Sequence, residues 1–371
     1  MAKSLKHLAG GFLLLGLHFS ALPALATPTQ VAQSVSSRTP QTFTGRLDSN
    51  SAVLEDDGSY YETHTFEGQE GETLTITLSS EDFDTYLLLV APTAETIAQN
   101  DDSTDGTNSQ IVVTLPATGT YTVIANSYEA GATGNYSLEI RTATERDQAL
   151  ATADELNQQA MTLDSEGRYT EAVPLAKRAL AIREEQLGEN HPDVATSLNG
   201  LAYLYQAMGN YTEAEPLFQR SLAIREQALG SNHPDVATSL NNLALLYRTI
   251  GKYSEALPLY QRSLTIREQA LGRNHPDVAN SLNNLAELYD SMRNYSEALP
   301  LFQRSLTIYE RALGSDHPDF ANSLYNLAGL YQNMGNYSEA LPLYQRSLTI
   351  YEQALGSDHP HVATSLHGLA N

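Results

Sequence analysis

The sequence predicts a multidomain chain, a small β-sandwich followed by an all-α solenoid of stacked helical hairpins. Two observations predict it. His-Pro recurs at His191, His233, His275, His317 and His359, a fixed step of 42 residues, and self-similarity of that size marks a stacked repeat. Over residues 41–141 the helical spacing gives way to alternation of apolar and polar residues between turn clusters, the mark of short, half-buried strands. At 371 residues the chain has room for two or three domains, and its net charge is −23. Both halves share the acidity, which argues against duplex DNA, RNA backbones and anionic membranes as partners. Solubility is the simplest consequence of such a charge. Cysteine is absent, so no disulfide framework, thiol nucleophile or thiolate metal site is available.

Residues 1–26 have the pattern of a secretory signal. Lys3 and Lys6 precede an apolar run from Leu8 to Leu17, and Ala24-Leu25-Ala26 supplies a small-x-small cleavage pattern. The run is too short to span a bilayer as a mature helix. An uncleaved anchor is the competing reading. The mature chain is expected to begin near Thr27 and to be secreted or periplasmic, free of the membrane once the signal is cut. Residues 27–40 are rich in Thr, Ser, Gln and Pro without periodicity and read as a linker.

In residues 41–141, Leu74, Ile76 and Leu78 alternate with threonines, and Tyr121, Val123 and Ala125 alternate likewise. Tyr136, Leu138 and Ile140 repeat the pattern. Leu87–Val90 and Ile111–Val113 are continuous apolar runs that fit fully buried strands. Asp57-Gly58, Glu70-Gly71, Asp105-Gly106, Thr118-Gly119 and Thr133-Gly134 punctuate them. Short strands at this spacing argue for a sandwich.

Residues 142–371 hold the repeats: a degenerate hairpin near 147–187, four regular ones at 192–229, 234–271, 276–313 and 318–355, and the start of a sixth. In one unit, Leu240, Leu243, Ala244 and Tyr247 form one helical stripe. Gly251 is expected to stop that helix in the left-handed region. Ser254 is the expected N-cap of the next helix, whose apolar side carries Ala256, Leu259, Tyr260 and Leu264. Pro258 should then sit at the edge of the first turn, where a missing N–H costs little. Gly272 ends the unit. No hairpin buries its stripe alone, so neighbours must stack. Arg293 stands where other units have a helix-ending glycine, a left-handed arginine that costs on the order of 1 kcal/mol.

These residues carry two resemblances. Leu240, Leu243-Ala244, Tyr247, Gly251-x-Tyr253, Ala256 and Tyr260 resemble the tetratricopeptide repeat, and the phrases LNNLA, YSEALPLYQRSL and HPDVA resemble its kinesin light chain type. Ser221, Ser263, Ser305 and Ser347 replace the alanine usual late in the second helix, a small-for-small change. Gly68-Gln69, Asp82-Phe83-Asp84-Thr85-Tyr86-Leu87, Ile97 to Asp102, Leu115-Pro116-Ala117 and Gly119 to Val123 are similar to the bacterial pre-peptidase C-terminal domain. That resemblance implies a jelly-roll-like accessory module, not a catalyst.

No H-E-x-x-H, G-x-S-x-G, phosphate loop or dinucleotide fingerprint occurs, so no enzyme activity and no cofactor beyond a calcium ion is expected. The repeated histidines read as helix-start turns: stacked units would hold them roughly 10 Å apart, too far to share a metal. Asn199, Asn241 and Asn283 recur at one position of the first helix of each unit. Asn242, Asn284 and Asn326 recur at the next, and Arg248 lies on the same side. The kinesin light chain resemblance implies that this face lines a concave groove, where carboxamides grip the backbone of an extended protein or peptide segment. The same asparagines could instead bond neighbouring helices and fix stacking. Both readings stand at this point. Arg178, Arg220, Arg262, Arg304 and Arg346 form a column that could meet acidic ligands but more simply pairs with acids of the adjoining unit or is solvated. In the sandwich, Asp82, Asp84, Asn100, Asp101, Asp102 and Asp105 crowd two loops. They offer oxygen ligands of the kind calcium takes, or serve only as acidic turns.

The function expected is an exported, non-enzymatic scaffold for protein or peptide partners. A truncated accessory part of a secreted protease-like architecture is one alternative. A self-associating structural protein is the other, because near-identical units can stack end to end.

Overall fold

The computed structural model describes residues 38–54, 58–101 and 108–370. The expected signal sequence and most of the expected linker lie outside the described residues. The chain divides between Thr152 and Ala153 into two compact units.

The first unit contains β1 (Gln41–Leu47), β2 (Ala52–Val53), β3 (Tyr60–Gly68), β4 (Thr73–Ser79), β5 (Thr85–Val90), β6 (Thr96–Asn100), β7 (Ser109–Thr114), β8 (Gly119–Ser127) and β9 (Gly134–Thr142). They form two antiparallel sheets, in the orders β1-β9-β4-β7 and β2-β3-β8-β5-β6. Leu74, Ile76, Leu78, Tyr121, Val123, Leu138 and Ile140 are buried in the core, as their alternation requires. The continuous runs behave differently from expectation. Leu87 and Leu89 are buried, but Leu88 and Val90 are half-buried, and so are Val112 and Val113 beside buried Ile111. An antiparallel sheet packs one face on the core, so even an all-apolar strand shows its second face.

Polar groups join strands of the two sheets. His64 Nε2 lies 2.7 Å from the Tyr136 hydroxyl, which donates to Glu62 at 2.5 Å. Gly45 on β1 makes room: a Cβ there would stand 2.2 Å from that hydroxyl oxygen. Burial and then Glu62 push the Tyr136 pKa far up, while burial lowers that of His64. Arg38, in the segment read as linker, is pinned to this unit. Its guanidinium sits 4.9 Å over the Phe66 ring and donates to the Glu67 carbonyl at 2.6 Å.

Among the described residues the helices are α1 (Glu145–Ser165), α2 (Tyr169–Leu187), α3 (Pro192–Ala207), α4 (Tyr211–Leu229), α5 (Pro234–Thr249), α6 (Tyr253–Leu271), α7 (Pro276–Ser291), α8 (Tyr295–Leu313), α9 (Pro318–Asn333), α10 (Tyr337–Leu355) and α11 (Pro360–Ala370). Odd-numbered helices are the A helices of successive hairpins and even-numbered helices the B helices. None is long and apolar enough to cross a membrane.

Each His-Pro starts an A helix. His275 is the N-cap of α7: its Nδ1 accepts from the Asp277 N–H at 3.2 Å, and Pro276 takes the first helical position, where a missing N–H is harmless. His191, His233 and His317 do the same. The B helices depart from expectation. They begin at the tyrosine, so α6 has Lys252 as N-cap without a side-chain cap, and Ser254 lies in the first turn bonded to Glu255. Pro258 therefore lies in the second turn, and α6 continues through it.

The solenoid core is one cluster repeated. Tyr260 of α6 packs on Ala244 and Ala256 of its own hairpin and on Leu285 and Leu288 of the next. Phe218 and Phe302 occupy the same place in their units. Small alanines let the ring approach, and burying such a side chain stabilises by roughly 1.5–3 kcal/mol. The serines do more than save space. Ser263, fully buried, donates to the Ala237 carbonyl at 2.7 Å, and Ser221, Ser305 and Ser347 repeat the bond. In the arginine column, Arg220 pairs across units with Glu184 and Arg262 with Glu226, each at 2.5 Å, Arg304 with Glu268 at 2.6 Å, and Arg346 more loosely with Glu310 at 3.8 Å.

Candidate binding groove

Successive A helices α5, α7, α9 and α11 touch directly as well as through the B helices between them. Their shared side carries the recurrent asparagines. Asn242 donates to Asn199 Oδ1 at 3.0 Å, and Asn284 donates to Asn241 Oδ1 at 2.8 Å. The second asparagine of one unit thus reaches back to the first asparagine of the preceding unit, and the ladder ties neighbouring hairpins. The structure brings Asn199, Asn241, Asn242 and Asn284 together as stacking bonds, half-buried rather than open.

The ladder changes at the next step. Asn326 donates to Glu287 Oε1 at 3.1 Å instead of to Asn283. Asn283 turns inward, only 5% exposed, and donates to Ser323 Oγ at 2.9 Å. Its Oδ1 is buried with no partner among the described residues. Arg248 pairs with the other oxygen of Glu287. Where this register breaks, a polar pocket of about 150 Å³ opens between α7 and α9, bordered by Asp277, Asn280, Asn283, Glu287, Tyr309 and Asp319. Tyr309 is pushed up to about 12, first by burial and then by Asp319 and Asp277.

Of the expected groove residues, Asn283, Asn284 and Asn326 line the pocket, Arg248 supports its Glu287 wall, and the rest sit in the ladder. Asp277, Asn280, Glu287, Tyr309, Asp319 and Asn322 were missed. Four of the lining positions depart from the repeat. Asn280 and Asn322 stand where Thr196 and Thr238 do, Glu287 where Leu245 does, and Tyr309 where Arg225 and Arg267 do. Departure from the repeat was the signal that could have found these four, whereas Asp277 and Asp319 recur in every regular unit and gave none.

The acidic loops of the sandwich hold themselves in place. Asp82 Oδ2 accepts from the Asn135 backbone at 2.8 Å, and Asn100 Oδ1 from Gln110 at 3.3 Å. The Asp101 carbonyl accepts from Ser109, and Asp84 lies in the loop before β5. Asp102 and Asp105 fall outside the described residues, and among those described no three acids or histidines converge on a metal position.

The tetratricopeptide repeat model matches residues 150–207, 193–269, 251–311, 292–331 and 319–371, together more than half of the chain. The chain belongs to the tetratricopeptide repeat family. The bacterial pre-peptidase C-terminal domain matches residues 60–127, within the sandwich of this tetratricopeptide repeat protein. Among solved structures, the chain is similar to the nearly identical TPR-like repeats of kinesin light chain type from Podosopora anserina. The identity is 30%, with 56% of this chain and 98% of that one covered, at a TM-score of 0.48. BtubC from P. vanneervenii is 23% identical over 59% of this chain and 95% of its own, at a TM-score of 0.42. Aspartyl phosphate phosphatase F of Bacillus subtilis is 14% identical over 60% of this chain and 56% of its own, at a TM-score of 0.51. At that identity the likeness speaks for the fold alone. No curated protein matches the sequence at a significant level.

Proposed function

We propose that this protein is an exported, non-catalytic scaffold that holds an extended protein or peptide segment along the shared side of its A helices. Proteins built from tetratricopeptide repeats bind protein and peptide partners. The observation that carries the reading is the polar pocket between α7 and α9, where carboxamides and carboxylates border open space. Such groups can meet the N–H donors of a peptide. The signal-like start, Lys3 to Ala26, supports export.

The test is enrichment of a displayed random-peptide library by the full chain, beside Asn280→Ala/Asn322→Ala. Both asparagines are exposed, so the variant should keep its circular dichroism. The parent is expected to enrich peptides, and the variant to bind them at least tenfold more weakly. Absence of enrichment by the parent would sink the reading.

A further inference from the structure

A second register in the repeats points to what this pocket holds. In three successive hairpins an arginine on the B helix closes the seam to the next A helix. Arg183 donates to Ser197 at 2.5 Å, Arg225 to Ser239 at 2.9 Å and Arg267 to Ser281 at 2.9 Å. The second guanidinium nitrogen reaches back to the preceding A helix, to Asp154 at 2.5 Å, Thr196 at 3.1 Å and Thr238 at 3.4 Å. Arg225 and Arg267 also donate to the carbonyls of Asp235 and Asp277, at 3.4 and 3.2 Å. A guanidinium suits such a seam because its five N–H groups form a rigid planar fork.

The next two hairpins carry Tyr309 and Tyr351 at this position. A phenol offers one hydroxyl and no charge. The groups that the arginine would meet are still present around Tyr309: Asn280 for Thr238, Asp319 for Asp277, and Ser323 for Ser281. Asn280 and Asp319 border the pocket. The loss leaves unmet polar groups in both hairpins. After Tyr351, Ser365 Oγ is buried without a partner among the described residues. Beside Tyr309, Asn283 has swung in to serve Ser323, and its own Oδ1 is orphaned in the pocket wall. Leaving a buried acceptor without a donor is costly, so a donor from a ligand is favoured there.

Charge agrees with this. The lining contains Asp277, Glu287 and Asp319 and no lysine or arginine. Arg248 matches Glu287, Arg267 donates to the Asp277 carbonyl, and the Asp319 carboxylate lies 3.7 Å from His317 Nδ1; among the lining residues no lysine or arginine answers it. The Tyr309 ring in the wall can face a cation.

We propose that the pocket between α7 and α9 takes the guanidinium of an arginine side chain on the bound peptide, filling the place that Arg225 and Arg267 fill in earlier hairpins. The inference rests on the groove reading above and adds the ligand's chemistry to it. Arginine is preferred over lysine because its rigid five-donor fork can serve several acceptors at once, whereas a lysine ammonium is a compact point charge.

Two blocked pentapeptides test it, glycine on either side of a central arginine or a central citrulline, titrated into the full chain by calorimetry. Citrulline keeps the shape and removes the charge. The arginine peptide is expected to bind at least tenfold more tightly. Tyr309→Arg restores the residue of the earlier hairpins, fills the pocket from within, and should abolish binding while circular dichroism stays unchanged. If that variant misfolds, Asp319→Asn takes its place, with an expected loss of at least tenfold. Equal binding of the two peptides, or full affinity in the variant, overturns the proposal. If the library instead enriches peptides without arginine that bind Tyr309→Arg as well as the parent, the arginine pocket falls and the groove stands. If the library yields nothing and neither peptide binds, both fall.

Discussion

Single residues show best what the repeat permits. Arg293 has φ of 59°, in the left-handed region that Gly251 and Gly335 occupy at 78° and 80° in their own hairpins. The sequence alone exposed this strain, because a period of 42 residues allows every position to be compared with its counterparts. A side chain in that region costs roughly 1–2 kcal/mol, and glycine avoids it while losing part of the gain to unfolded-chain entropy. Arg293→Gly is therefore expected to stabilise the protein by up to about 1 kcal/mol. Urea unfolding should show a higher midpoint at unchanged slope, and a lower midpoint would refute the strain. The histidines were less legible. Their spacing marked a helix start, but not that Nδ1 itself is the cap, since the ring's reach to the Asp277 N–H depends on an extended backbone at His275.

At the scale of elements, the odd helix out is α1, which starts the solenoid without a His-Pro. Thr144 and Asp147 cap it reciprocally: the Asp147 N–H donates to Thr144 Oγ1 at 3.1 Å, and Asp147 Oδ2 accepts from the Thr144 N–H at 2.7 Å. Arg141 at the end of β9 adds a two-pronged ion pair to the same carboxylate. Burial alone would raise the Asp147 pKa, but Arg141 and Thr144 outweigh it and hold the carboxyl well below the usual range. With the folded pKa depressed, the stabilisation is present above the ordinary carboxylate value of about 3.9 and is lost as pH falls below it. Asp147→Ala should cost about 1 kcal/mol at pH 6, and the gap to the parent should narrow toward pH 2. A gap independent of pH would assign the loss to packing. The arginine joining this cap was not legible in the sequence, because that contact depends on where β9 ends. Elements as a whole were legible where one period ruled them. The A helices begin at the expected prolines. The B-helix starts were misplaced because the chain enters those helices through the glycine turn, and the tyrosine after it is already helical.

For the repeat unit as a whole, recurrence sets the architecture and departures from recurrence set the chemistry. The ladder of asparagines repeats and is spent on stacking. The pocket forms where Asn280, Glu287 and Tyr309 break the pattern. The same departure adds two buried tyrosines to the late hairpins, in addition to Tyr260 and Tyr344, which burial also holds above the ordinary value. Early hairpins close their seams with the guanidinium groups of Arg183, Arg225 and Arg267. Late hairpins use Tyr309 and Tyr351, both pushed up to about 12, first by burial and then by Asp319. A tyrosine whose folded pKa is raised contributes stability that is whole below the unfolded value of about 10 and is lost as pH rises toward 12. Because stacked repeats unfold by neighbours rather than all at once, helix loss in alkali should begin in the last hairpins. Circular dichroism between pH 9 and 12.5 is expected to show a partial first step that coincides with tyrosinate absorbance. Tyr309→Phe/Tyr351→Phe keeps the packing and removes the ionisable hydroxyls, so the first step should move to higher pH or vanish. An unchanged step in that variant would place the alkaline weakness elsewhere in the solenoid and would show that these two rings do not govern how its end comes apart.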